Sequence, residues 1–136
     1  MEWIVKKERK AADSYIEVSA ARIGNDVLLC LEGGTKPHIG CVVQAVPRSS
    51  LTGDGGGSST ASVLNITGHK DEFLCRKLAE KVSSKLGAVA VCTGGFHIDG
   101  MRKEQIKAVI EVTDEIADAI VEELMKDQGN QSPWYL

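Results

Sequence analysis

Ala88-Val-Ala-Val-Cys-Thr-Gly-Gly-Phe-His-Ile-Asp99 is the stretch on which the fold turns. Ala88 to Thr93 is a short apolar run, the pattern of a strand buried on both faces. The run breaks at Gly94-Gly95 and delivers Phe96, His97 and Asp99 just ahead of a long helical pattern. An earlier stretch, Val27-Leu-Leu-Cys-Leu-Glu-Gly-Gly-Thr-Lys-Pro-His-Ile-Gly40, has the same layout: an apolar strand, a glycine pair, then a histidine, His38. The chemistry of the chain concentrates at these two strand ends. Whether they meet is not fixed by local pattern, because pattern does not give strand order.

Upstream, Ser14 to Ile23 alternates with a period of two, as a half-exposed strand does. Gly24-Asn25-Asp26 is a turn, and Val27 to Leu31 is the return strand. Residues 3–10 add a charged edge strand if they pair at all. Pro37 stiffens the approach to a further strand over 39–46, which places His38 at its start. Residues 47–60 read as a flexible Gly/Ser-rich loop, with 61–67 as the returning strand.

Asp71 is a candidate cap for a first helix. Leu74, Leu78, Val82 and Leu86 form its apolar face and Gly87 its stop. A second helix spans roughly 102–126. Its stripe is Ile106, Val109, Ile110, Thr113, Ile116, Ala117, Ile120, Val121 and Leu124, and its acidic residues, Glu104 to Glu123, face solvent. Residues 128–136 form a tail carrying Trp134-Tyr135. The expected fold is therefore α+β, one domain over 1–136: an antiparallel-rich sheet of five to six strands with two amphipathic helices on one face. Five strands give the order β-β-β-β-α-β-α, and residues 3–10 would supply the sixth. The opposite sheet face is either solvated or an oligomer interface.

With 136 residues, 43% hydrophobic and 26% charged, the chain has the balance of a globular domain. A formal charge of −3 and the lack of a basic stripe argue against nucleic acid. No apolar run is long enough for a bilayer and no leader pattern opens the chain, so a cytoplasmic location and no membrane contact are expected. The four cysteines are dispersed, which fits buried thiols better than disulfides or zinc.

His38 and His97 in matching glycine contexts are the leading candidates for binding or acid–base work, against the simpler reading of histidines satisfied by backbone carbonyls. Asp99 either orients His97 or caps the second helix. Gly33-Gly34 and Gly94-Gly95 are candidate anion-approach points, though neither belongs to a recognised phosphate-loop motif. Lys36 and Arg102 stand beside them as candidate counter-charges. His69 reads as structural or exposed. Metal ligation by His38, His97 and Asp99 lacks a short-spaced pair, and Cys41 and Cys92 lie in apolar runs where a thiol is inert. No catalytic residue and no metal is assigned.

The segments Gly-Gly-Thr-Lys-Pro-His-Ile-Gly40 and Gly-Gly-Phe-His-Ile-Asp99, with P-H-I-G and H-I-D as their most specific pieces, resemble the LpdD-like family over roughly residues 12–125. The family is described as a chaperone for prenylated flavin, the cofactor of UbiD-type decarboxylases, and its fold is similar to a small proteasome-assembly chaperone. The resemblance implies a non-catalytic helper whose ligand is prenylated flavin mononucleotide or FMN and whose partner is a decarboxylase. On that reading the candidate pocket is Gly33, Gly34, Lys36, His38, Gly94, Gly95, His97 and Asp99. A protein-assembly module without a ligand, and a small metal-dependent enzyme, are the alternatives. The 53–59 loop and the Trp-Tyr tail do not map onto the family.

Overall fold

The computed structural model describes residues 1–49, 57–66 and 72–128. Among these the chain forms β1 (Trp3–Ala11), β2 (Ser14–Ile23), β3 (Asp26–Gly34), β4 (Cys41–Ser49), β5 (Gly57–Asn65), α1 (Glu72–Leu86), β6 (Ala90–His97) and α2 (Lys103–Gln128). The charged N-terminal segment does supply the sixth strand. It is an edge strand, ordered β1-β2-β3-β6-β4-β5 with the others.

Every neighbouring pair is antiparallel except β3 and β6, which run parallel. The parallel pair decides where function can lie. β3 and β4 follow one another in the chain, yet β6 is inserted between them. Residues 35–40 must therefore arch over the C-terminal end of β6, across two strand spacings or about 10 Å. That arch carries Lys36, Pro37 and His38.

Alternation sorts the sheet into two faces. Ile16, Val18, Leu29, Leu31, Val43 and Cys92 point inward and are essentially fully buried. Both helices cover that face, with α1 over β4, β5 and β6 and α2 over β1 and β2. Leu78 and Val82 of α1 and Ile116, Ile120 and Leu124 of α2 complete the core. Thr113 is buried with them, and its hydroxyl is satisfied by donating to the Val109 carbonyl (2.7 Å). Ile106, expected in the stripe, is 42% exposed: the first turns of α2 stand clear of the core.

The acidic side of α2 is not simply solvated. Asp114 and Asp118 each accept from Lys81 of α1 at 2.9 Å, and Glu123 pairs with Lys7 of β1. Arg22 ties down the far end of the helix, donating to the Leu124 carbonyl (3.0 Å) and to Asp127 (3.2 Å).

Several boundaries differ from expectation. β4 runs to Ser49 and β5 begins at Gly57, so residues 47–49 and 57–60 are strand rather than loop. Residues 50–56 lie outside the described residues, as do His69, the proposed Asp71 cap and Trp134-Tyr135. The two glycine pairs differ: Gly33-Gly34 closes β3 as expected, whereas β6 runs on past Gly94-Gly95 to His97. Gly33 and Gly34 pair in register with Phe96 and His97, and Gly94 and Gly95 with Leu31 and Glu32. At Gly94 (φ +135°) an added Cβ would lie 1.7 Å from the Leu31 carbonyl oxygen. Glycine is needed there for close strand approach, and β6 continues through it.

Candidate functional site

Parallel pairing brings the ends of β3 and β6 side by side, with Gly34 opposite His97. The carboxyl ends of adjacent parallel strands are where α/β sheets commonly present ligands. The Thr35 amide donates to the His97 carbonyl (2.8 Å), and the Thr35 hydroxyl reaches the same oxygen at 3.3 Å. This pins the backbone of the residue that carries the imidazole. On the far side of β6, the Gly40 amide donates to the Gly94 carbonyl (2.9 Å) and fixes the other foot of the arch.

His38 is thereby brought to His97. Their ring centroids are 6.3 Å apart, edge to face. The His38 Nδ1–H donates to the Lys36 carbonyl (2.9 Å), which holds its ring against the arch. The His97 Nε2–H donates to Asp99 Oδ1 (2.7 Å), while the Lys36 ammonium lies 3.7 Å from the other carboxylate oxygen. Hydrogen bonding from His97, then the nearby Lys36 charge, holds the Asp99 carboxyl below its ordinary range. Asp99 thus orients His97. It does not cap α2, whose first turn is closed by the Gln105 side chain accepting from the Arg102 amide (2.8 Å).

Of the residues expected at the site, Lys36, His38, His97 and Asp99 form one cluster around the paired strand ends, with Lys36 and Asp99 exposed and both histidines half-buried. Arg102 pairs instead with Glu104 at 3.6 Å. The glycines lie within the sheet ladder, so they bring the strands together rather than forming a loop that cradles an anion. Cys41, Cys75 and Cys92 are buried, as expected of inert thiols, but Cys30 is only partly covered.

Cys30 leads to a feature that the sequence reading missed. Beneath the arch, on the sheet face away from the helices, lies a hollow of about 320 Å³. Glu17, Ser19, Cys30, Glu32 and Thr93 form its floor and sides, and His38 and Ile39 overhang it. Its depth comes from small side chains set side by side, since Ser19 pairs with Cys30 and Cys30 with Thr93 in register. Burial, and then Glu32, push the Cys30 thiol up from its ordinary value, which makes it a poor nucleophile at neutral pH. The only sign in the sequence was that these residues are the polar positions of alternating strands. Among the described residues no group of three or more His, Cys, Asp or Glu side chains is placed to hold a metal ion. No helix among them is long and apolar enough to cross a membrane.

The layout is a mixed six-stranded sheet backed by two helices. It superposes on a chain of a solved structure, "Crystal Structure of a Novel Chaperone Complex for Yeast 20S Proteasome Assembly", with a TM-score of 0.51 and 14% identity over 88% of this chain and 97% of that one. At that identity the likeness concerns fold alone. Residues 10–125 match the family described as "Prenylated flavin chaperone LpdD-like domain". Protein LpdD of Lactiplantibacillus plantarum is 31% identical over 101 residues, covering 73% of this chain and 69% of that protein. The chain belongs to the LpdD-like chaperone family.

Proposed function

We propose that this chaperone-family protein binds a phosphorylated flavin, prenylated flavin mononucleotide by the family's description, and holds it for a UbiD-type decarboxylase. The observation that supports this most is the convergence of Lys36, His38 and the Asp99-oriented His97 where parallel strands β3 and β6 end. The Lys36 ammonium can donate to phosphate or to carbonyl oxygens of a ring, and each imidazole, whose one neutral N–H is given to the Lys36 carbonyl or to Asp99, can donate from its other nitrogen once protonated. The cluster is open, as suits a carrier that must release its cargo. A closed catalytic pocket would be built differently.

Thermal unfolding with and without FMN tests the reading. A free concentration about a hundred times the dissociation constant stabilises the native state by roughly 2.7 kcal/mol. The midpoint shift is expected to vanish in His97→Ala and His38→Ala variants that remain folded. If neither FMN nor its prenylated form shifts the midpoint, or if both variants bind normally, the flavin site is wrong.

One observation favours a second reading, in which the ligand is a protein alone. Val42 and Leu64, paired across β4 and β5 on the helix-free face, are 38% and 75% exposed, and Ile39 beside them is 62% exposed. Binding of an apo-decarboxylase without flavin, undiminished in His38→Ala and His97→Ala, would establish that reading in place of the first.

A further inference from the structure

We infer that the hollow under the arch is a second compartment of the same site: it receives the flat ring of the ligand, while the anionic end stays at Lys36 and His97. The inference rests on the phosphorylated-flavin reading and adds the ring's location and orientation. His38 links the two compartments, since it overhangs the hollow and meets His97 edge to face. A ligand that touches His38 therefore has Lys36 and His97 on one side and the hollow on the other.

Charge decides which end goes where. Glu17 and Glu32 are direct cross-strand partners and both line the hollow, and Glu8 extends the row as the partner of Glu17. Phosphate is repelled by such a row, whereas at the rim the Asp99 carboxylate is balanced by the Lys36 ammonium 3.7 Å away, which can also donate to phosphate. Like charges set opposite one another across strands destabilise a sheet. Lys6, 3.4 Å from Glu17, offsets part of that cost. A neutral ring with an N–H edge, such as the imide side of an isoalloxazine, supplies one donor to those carboxylates where phosphate supplies none. The floor of Ser19, Cys30 and Thr93 is low enough to admit a planar group, and Ile39 gives it an apolar wall.

The protein carries its own reporter of occupancy. Cys30 lines the hollow and is partly exposed, while Cys41, Cys75 and Cys92 are buried and serve as internal controls. The full chain is alkylated with iodoacetamide at mildly alkaline pH, with and without FMN or riboflavin, and Cys30 modification is followed by peptide mass spectrometry. Saturating FMN should slow Cys30 alkylation by about tenfold or more, and riboflavin, which lacks phosphate, should protect it at higher concentration. Lys36→Ala should raise the FMN concentration needed by about tenfold and leave that for riboflavin unchanged. If FMN shifts the unfolding midpoint but Cys30 reacts at its unprotected rate, the ligand sits on the rim alone; the compartment is then overturned and the flavin reading stands. If no flavin shifts the midpoint or protects Cys30, the flavin reading fails and takes the compartment with it.

Discussion

The two faces of the sheet are built from the same strands and serve opposite ends. On β3, Leu29 points into the helices and is fully buried, while its neighbour Cys30 points to the open face and lines the hollow. On β2, Val18 is buried and Glu17 and Ser19 face out. The covered face carries the apolar burial that holds the domain together. The open face carries a carboxylate row, Glu8, Glu17 and Glu32, together with exposed Val42 and Leu64. Stability placed on one face leaves the other free to bind.

The largest effect should come from setting Leu29 against Cys30. Leu29→Ala removes a fully buried side chain from the middle of the core and should cost about 2–5 kcal/mol of unfolding free energy. Cys30→Ser, one residue along, should change it by no more than about 0.5 kcal/mol. Urea unfolding of both variants checks this. If the two costs were equal, the division of labour between the faces would not hold.

That division was legible in part from the sequence. Period-two alternation in residues 14–23 and the four-residue recurrence of Leu74, Leu78, Val82 and Leu86 mark strand and helix because burial acts on each residue where it stands. The β3–β6 pairing was not legible, since no local preference records which strands become neighbours. The β1–β2 turn was hidden for a different reason. Ala12 and Asp13 both have positive φ (52° and 58°), the backbone of a tight hairpin turn, but they are not the Asn-Gly pair that usually marks one. At the site, His38 and His97 stood out because each follows a glycine pair. Glu17, Ser19, Cys30, Glu32 and Thr93 did not, because a strand's outward polar residues look alike whether they meet water or a ligand.

A smaller effect of opposite sign is expected at Glu32. Glu32→Gln removes one charge from the carboxylate row and should stabilise the fold by about 0.5 kcal/mol. The same change removes an acceptor from the hollow and should weaken riboflavin protection of Cys30. Urea midpoints and the alkylation assay, run on one preparation, read both effects. A variant less stable than the parent would show that the row is already compensated in the free protein, and the open face would then bear some of the stability assigned to the other.

The smallest effect belongs to the ion pairs joining the two helices on the covered side, and pH tells them apart from packing. The hydrogen bond from Lys81 is the chief cause that holds the Asp114 carboxyl below its ordinary range. Because the folded state resists protonation more than the unfolded state, this contribution is complete above the ordinary carboxylate range. It is lost as pH falls through the depressed folded value. The Asp114 side chain is 44% exposed, so Asp114→Asn should cost only about 0.3 kcal/mol near neutrality. The stability gap between parent and variant should close as pH falls below about 4. Asp99 is held low in the same sense, by His97 and then Lys36, but its side chain is 77% exposed and lies at the end of the sheet proposed to bind the ligand. Asp99→Asn should therefore alter FMN binding while leaving the urea midpoint near that of the parent at every pH. A gap for Asp114→Asn that persisted in acid would mean the helices are joined there by contact rather than charge, and a large loss of stability in Asp99→Asn would make that carboxylate part of the scaffold instead of the site.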